Sequence, residues 1–417
     1  MKICVLGGGV VGVTTAIMLA RCGHQVTVLD KNSDIGMETS FANGGQLSYS
    51  YVAPLANPGV FAHLPGWLVR SESPLRFAPR FDVNQWRWCL SFLRACTAVR
   101  SLRTTAELLA LGAYSRLELH RLLAEEILDF DFRQNGKLVI YRDEREWAMA
   151  RRQMEYQALH DSRQLALNAR ECVEREPALA CLERQIIGGV FTASEEVGDC
   201  YRFTTELARV GQERYGVQIL TGLGVDSWRV EGDVVRAVRS SKGEIEAEGF
   251  VVALGNGSGA LLRQLGLLLP VYPLRGYSLT IPVEPHHNPP QVSITDLHHK
   301  IVYAQIGGSL RVAGMADLGP VRTAPRTALL ARQARETLPD AADYEKAKPW
   351  TGARPATPDS KPVIGTTRYH NLWLNTGHGS LGFTFACGSA GLVTALVNHT
   401  RPEIDVIPYG LENRHLV

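Results

Sequence analysis

The sequence predicts a protein of the α/β plus α+β class, in which a parallel nucleotide-binding sheet is joined to a second unit built on a mixed or antiparallel sheet flanked by helices. Residues 1–30 read as strand, glycine turn, helix and strand. From Pro270 to Met315, apolar and polar residues alternate among many turn formers, the pattern of an antiparallel sheet. At 417 residues, the chain is long enough for two domains.

Lys2 to Leu6 (KICVL) is a short apolar run of β-formers that breaks at Gly7, and an amphipathic run continues to Arg21. Gly23 stops that helix, and His24 to Leu29 forms a second strand ending on Asp30, so the unit is a parallel crossover. Gly7, Gly9 and Gly12 fit G-x-G-x-x-G, the dinucleotide fingerprint of a Rossmann-type unit, although a glycine-rich turn in some other α/β protein would share the letters. Gly7 allows the tight turn, Gly9 lets backbone approach a pyrophosphate, and Gly12 lets the helix pack closely. The phosphates would sit on the unpaired N–H groups of the first helical turn, where Val10 and Val11 stand. Asp30 would accept from both ribose hydroxyls of an adenosine and repel a ribose phosphate, which disfavours NADP; Lys31 beside it joins the candidate set.

A net charge of +2 argues against a nucleic-acid surface, and basic clusters such as Arg142 to Arg152 are interleaved with acids. The eight cysteines lack ligand spacing and read as reduced core residues of a cytoplasmic protein. The pairs His286-His287 and His298-His299 have no acidic or cysteine partners at ligand spacing, so no metal site is expected. The chain begins directly on its first strand, leaving no room for a signal peptide, and no uninterrupted apolar run reaches spanning length. Val60 to Leu68, with Trp86-Arg87-Trp88, mixes aromatics and arginines and is a candidate for peripheral membrane contact against an ordinary core-and-loop reading.

Met37 to Ser50 is rich in Ser, Asn and Gly and follows the acid-bearing strand, so it suits a loop laid along a ligand. Val52 to Pro79 is proline-rich and reads as a covering loop. Asp82 caps a helix carrying Val83, Trp86, Leu90 and Leu93, and a long helix follows from about Thr104 to Ile127; both are expected in the second domain. KLVIY after Gly136 is a strand, Glu144 to His160 a helix, and Gly189 to Phe191 a strand again. Phe203 to Tyr215 is a helix closed by Gly216, and Gly249 to Gly255 a buried strand that resembles the parallel ones. Ala324 to Leu338 is helical; NLWLN, a glycine-rich turn and an apolar helix from Ser389 to Asn398 close the chain. The expected division is 1–50, 170–268 and 346–417 for the nucleotide domain, with 51–169 and 269–345 for the other.

Set together, GGGVVG with Asp30, ETSFANGGQLS, PLRGYSLTIP, WTGARPATPDSKPVIG and NLWLNTGHGSLGFTFACGSAGL resemble the bacterial flavin-dependent D-amino-acid dehydrogenases, within the D-amino-acid oxidase-like flavoproteins. The resemblance runs the length of the chain. It implies a FAD-binding Rossmann-type domain and oxidation of a D-amino acid to an imino acid that hydrolyses to a 2-oxo acid and ammonia. Electrons would pass to a quinone or respiratory-chain acceptor rather than NAD. It also implies that Ser40, Asn43, Gly44, Gly45, Gln46 and Leu47 lie along the pyrophosphate and flavin, and that Gly255 makes a further cofactor contact. His378, Gly379, Ser380, Leu381 and Gly382 match the flavin-facing turn, where a helix start would direct N–H groups at the flavin N1–C2 edge. Non-covalent FAD is expected, with Cys387 raising covalent attachment as the other reading.

Arg354, in G-x-R-P, matches the arginine that holds the substrate carboxylate, for which a planar guanidinium supplies a two-point fork. Arg275 is either a second anion anchor or structural. Tyr51 and Tyr277 are hydroxyl candidates for substrate contact, each with an ordinary core reading. Alternatives are a cyclic secondary D-amino acid such as D-proline or D-hydroxyproline as substrate, an NAD-linked enzyme, and a non-catalytic flavoprotein subunit of a larger oxidoreductase.

Overall fold

The computed structural model describes residues 1–61, 66 and 72–412. Most of Val60 to Leu68, singled out for membrane contact, and part of the expected covering loop lie outside these residues. The strand Lys2–Leu6 sits inside a six-stranded sheet, parallel to Gln25–Leu29 on one side and Gly249–Val252 on the other. Gln218–Leu220 and Leu372–Thr376 extend it in parallel, and Val363–Thr366 closes one edge antiparallel. Buried on both faces, these strands are near-continuous apolar runs, as parallel sheets require.

Helices Val10–Arg21, Cys200–Tyr215 and Gly382–Val397 pack on one face of this sheet. On the other face, a three-stranded antiparallel sheet spanning Val225–Glu246 contributes Trp228, Val235 and Val238 against Leu6, Phe250 and Val252. Gly379–Val397 is long and apolar enough to cross a membrane, with a mean hydropathy of 1.6, which corrects the expectation that no run reached that length. Here it is a core helix, with Phe385, Ala386, Ala390, Leu392 and Val393 buried.

A nine-stranded, mostly antiparallel sheet forms the second unit. Its path runs Lys348–Ala356, Tyr272–Pro282, Ser309–Leu318, Ile301–Ile306, Ser293–Asp296, Lys137–Tyr141, Gly188–Thr192 and Leu165–Leu167, with Leu75–Phe77 beside Ser309–Leu318. Helix Thr323–Thr337 covers one face, burying Leu330 and Ala334 against Tyr277, Leu279 and Ile281.

Several segments fall on the other side of the expected division. Gly188–Thr192 pairs with Lys137–Tyr141, and Lys348–Ala356 pairs with Tyr272–Pro282, so both belong to the nine-stranded sheet and not to the nucleotide unit. Conversely, helix Ala98–Glu125 shares the core of the first unit rather than the second. The cause is close approach at small residues: a Cβ on Gly388 would lie 2.8 Å from the Ser115 Cβ, and one on Gly391 would lie 2.5 Å from the Tyr114 hydroxyl. The final helix also begins at Gly382, seven residues before the expected Ser389.

Candidate active site

One cavity of about 800 Å³ runs between the two sheets. Gly7, Gly9, Val10, Val11, Asp30 and Lys31 line one end. Gly7 has φ +114°, and a Cβ there would lie 2.5 Å from the Ala253 carbonyl oxygen; a Cβ on Gly12 would lie 1.9 Å from the Gly7 oxygen. Gly12 therefore serves packing and does not line the cavity. Over Gly9 the nearest atom to a built Cβ is the Ser40 hydroxyl at 3.5 Å, which leaves the open cradle a diphosphate needs. The following helix has no side-chain cap and no acid in its first turn, so its positive end is uncompensated, although the Val10 N–H donates to Ser40 Oγ at 3.0 Å. Asp30 Oδ2 accepts from the Gly8 N–H at 2.7 Å and Oδ1 from the Asn32 N–H at 2.8 Å, which orients the carboxylate at the strand end. Lys31 is ion-paired to Glu38 at the rim.

The loop after this end threads between the sheets. A Cβ on Gly44 would lie 3.0 Å from Val302 Cγ2, and one on Gly45, at φ +66°, would lie 2.1 Å from Ile306 Cδ1. The glycines let this loop pass close over the second sheet. Asn43 Oδ1 accepts from the Gly45 N–H at 3.0 Å, and Gln46 Nε2 donates to the Ile294 and Tyr303 carbonyls at 3.2 and 3.3 Å. Ser40, Asn43, Gly44, Gly45 and Gln46 line the cavity, as does Gly255 at φ +54°. Leu47 does not: its side chain is in the core, 1% exposed, because strand alternation turns it away from its neighbours Gln46 and Ser48.

Opposite, Thr376 leads into His378, Gly379, Ser380, Leu381 and Gly382, all cavity-lining. Residues Gly379–Leu381 form a 3₁₀ turn running into helix Gly382–Val397, whose start again has neither side-chain cap nor acid. Burial pulls the His378 imidazole down to about 3, so it is neutral, and its Nε2 sits 3.1 Å from Ser389 Oγ. Cys387 lies inside this helix, buried away from the cavity, with its thiol pushed up by burial. An orphaned acceptor, Asn375 Oδ1, is buried at the cavity while its Nδ2 donates to Thr15 Oγ1.

Arg354 stands at the other end of the cavity on strand Lys348–Ala356. Its guanidinium lies against the bare Cα of Gly276, where a Cβ would meet Nη2 at 2.4 Å. Nη1 donates to the Met315 carbonyl at 2.9 Å, and no other protein acceptor bonds it among the described residues. Burial holds its pKa below the usual arginine value, with Asp317 opposing. Tyr51 lines the same end, its ring 4.2 Å from Lys137 Nζ.

Arg275 does not join this arrangement, and Tyr277 lines the cavity without offering its hydroxyl to it. Tyr277 is 1% exposed and its hydroxyl donates to Asp317 Oδ2 at 2.7 Å, beside the Arg326–Asp317 pair, so its polar end is occupied in the core. Arg275 is two residues away on the same strand, hence on the same face as Tyr277 and opposite Gly276, and it is not among the cavity-lining residues. Lys137, Lys300, Ser48 and Asn375, by contrast, line the cavity without having been singled out from the sequence. Lys137 Nζ donates to Ser48 Oγ at 2.9 Å, and Glu195 lies behind it. Burial pulls this lysine down and pushes Glu195 up. Among the described residues no cluster of ligating side chains could hold a metal.

The open cradle at Gly9, the carboxylate at the strand end and a second uncapped helix start lie along one cavity, an arrangement that fits an adenine dinucleotide. The family described as FAD dependent oxidoreductase matches residues 2–396. A protein of Ralstonia nicotianae named D-amino acid dehydrogenase 2 is 46% identical over 423 residues, spanning 99% of this chain and 100% of its own. One of the same name in Pseudomonas aeruginosa is 46% identical over 409 residues, spanning 97% and 96%. Among solved structures, glycine oxidase from Geobacillus kaustophilus superposes with a TM-score of 0.78 at 20% identity, covering 98% of each chain. L-proline dehydrogenase from P. horikoshii gives 0.75 at 19%, covering 98% and 96%. At those identities the solved structures speak for the fold alone, whereas the family match covers nearly the whole sequence: the chain belongs to the FAD-dependent oxidoreductase family, and its cofactor is FAD.

Proposed function

We propose that this protein is a D-amino-acid dehydrogenase, oxidising a D-amino acid to the imino acid, which water converts to a 2-oxo acid and ammonia. The observation that carries this reading is Arg354: a half-satisfied guanidinium in the same cavity as the dinucleotide cradle. The names of the full-length bacterial relatives support it. Bound FAD supplies the two-electron acceptor for the hydride leaving Cα. Gly9 and the helix start behind it hold the diphosphate, and Asp30 holds the ribose. Backbone N–H groups at the start of the Gly379–Leu381 turn would meet negative charge on the flavin already oriented, while that of Leu381 is held by the His378 carbonyl.

Arg354 Nε and Nη2 take the substrate carboxylate as a fork while Nη1 stays on Met315. This fixes Cα in position and leaves the amine to lose its proton before hydride departure. His378 is neutral and bonded to Ser389, so it positions the turn and transfers no proton. Non-covalent FAD accords with Cys387 standing outside the cavity lining, and acid precipitation should release all the flavin. For the acceptor, we favour a quinone at the inner face of the cell membrane. Exposed Phe81, Val83, Trp86 and Leu90, with Arg80, Arg87 and Arg94, give helix Val83–Ala95 a mixed apolar and basic outer face suited to anionic lipid. Trp88 is turned inward, donating to the Ala356 carbonyl. The test of the activity is stoichiometry: with a dye acceptor, each D-amino acid consumed should yield one 2-oxo acid and one ammonia, and dye reduction without either product would remove the proposal.

A further inference from the structure

The substrate end of the cavity carries more positive charge than one α-carboxylate can use. Arg354, Lys300 and Lys137 all line it. The cavity's carboxylates, Asp30, Glu38 and Asp226, belong to the adenosine end, with Glu38 already paired to Lys31. Lys137 is compensated from behind by Glu195 and bonded to Ser48. Lys300 is solvent-exposed where it meets the cavity and has no ion-pair or hydrogen-bond partner among the described residues, with the Glu146 carboxylate as its opposing charge.

Its place in the sheet puts it beside Arg354. Ile301 pairs with Gly314, so Lys300 stands across from Met315, the residue whose carbonyl accepts from Arg354. A Cβ on Gly314 would lie 3.1 Å from the Lys300 carbonyl oxygen, which shows how closely the two strands approach there. The Arg354 guanidinium and the Lys300 backbone therefore meet at the same part of the sheet, and both residues line the one cavity.

We propose that Lys300 forms an anion subsite for the substrate side chain, receiving a second carboxylate while Arg354 holds the first, so that acidic D-amino acids are the preferred substrates. This rests on the reading of the cavity as an amino-acid oxidation site. A neutral side chain would leave the Lys300 ammonium in the substrate cavity with no anion to meet it. An acidic side chain neutralises Lys300 and screens the amine from it.

The test is anaerobic reduction of the holoenzyme by D-glutamate, D-aspartate, D-glutamine and D-norvaline, with glutarate and butyrate titrated separately against the flavin absorption band. An acidic substrate should exceed its amide in reduction efficiency by about tenfold, and Lys300→Met should erase that margin. Glutarate should bind more tightly than butyrate to the wild type and equally to the variant. A D-glutamine rate matching that of D-glutamate, or a margin that survives Lys300→Met, overturns the subsite. Failure of every D-amino acid to reduce the flavin would instead refute the proposed activity, and the glutarate titration would still decide whether Lys300 binds a second carboxylate.

Discussion

Replacing Arg354 probes the link between geometry and turnover most sharply. Its Nη1 is held by Met315, its plane lies on Gly276, the residue lines the cavity, and no other protein acceptor bonds the guanidinium among the described residues. Two charge-assisted hydrogen bonds to a carboxylate contribute about 1.5–3 kcal/mol each, and water entering the vacated space returns part of that. The net loss for Arg354→Ala should be about 2–5 kcal/mol, or roughly 30- to 5,000-fold in the ratio of reduction rate to dissociation constant. Arg354→Lys keeps charge but supplies neither the fork nor a plane that fits against Gly276, so Cα is held less firmly and the limiting reduction rate falls together with affinity. The assay is anaerobic stopped-flow reduction with a good D-substrate, with flavin content measured beside it. Both variants should retain FAD. Wild-type saturation and rate in either one would show that the carboxylate is held elsewhere.

Gly276→Ala should act through Arg354, because the added methyl meets its guanidinium at 2.4–2.5 Å; the dissociation constant for substrate rises while FAD content stays constant, and unchanged substrate affinity would contradict the packing. Asp30→Ala removes a carboxylate acceptor at the ribose end and should weaken FAD retention by about 1.5–3 kcal/mol, read from the ratio of flavin to protein absorbance after gel filtration. His378 has its folded-state value lowered from 6.5 to about 3, so the unfolded chain binds the extra proton between those limits and stability falls as pH drops through that window. By about pH 4.5 the loss from this group is roughly 2.5 kcal/mol, which His378→Gln should abolish in thermal melts; an equally acid-sensitive variant would rule it out.

The parts of the site that lie close together in the sequence were legible there. Gly7, Gly9, Gly12 and Asp30 sit within one strand–helix–strand unit, where a tight turn and a close helix leave few residue choices. The start at Gly382 was legible only through the family resemblance, since the apolar run by itself placed the helix from Ser389. The substrate end was less legible because it is assembled from distant segments: Lys137 comes from a strand and Lys300 from the turn before Ile301–Ile306, and a charged residue gives no local sign of facing a cavity. Arg275, outside the cavity lining, shows the converse. Period-two alternation puts it on the face opposite Gly276, but a sequence does not say which face looks at the cofactor. Helix Ala98–Glu125 was assigned to the wrong unit for a similar reason, since its Gly112, Tyr114 and Ser115 contacts are all long-range.

Anaerobic mixing of the yellow holoenzyme with matched D- and L-amino acids, watching the flavin band bleach, tests the central claim most directly. The account predicts rapid bleaching by D-amino acids, none by their L-enantiomers, and none by NADH. Equal bleaching by both enantiomers, or bleaching by L-amino acids alone, would contradict it.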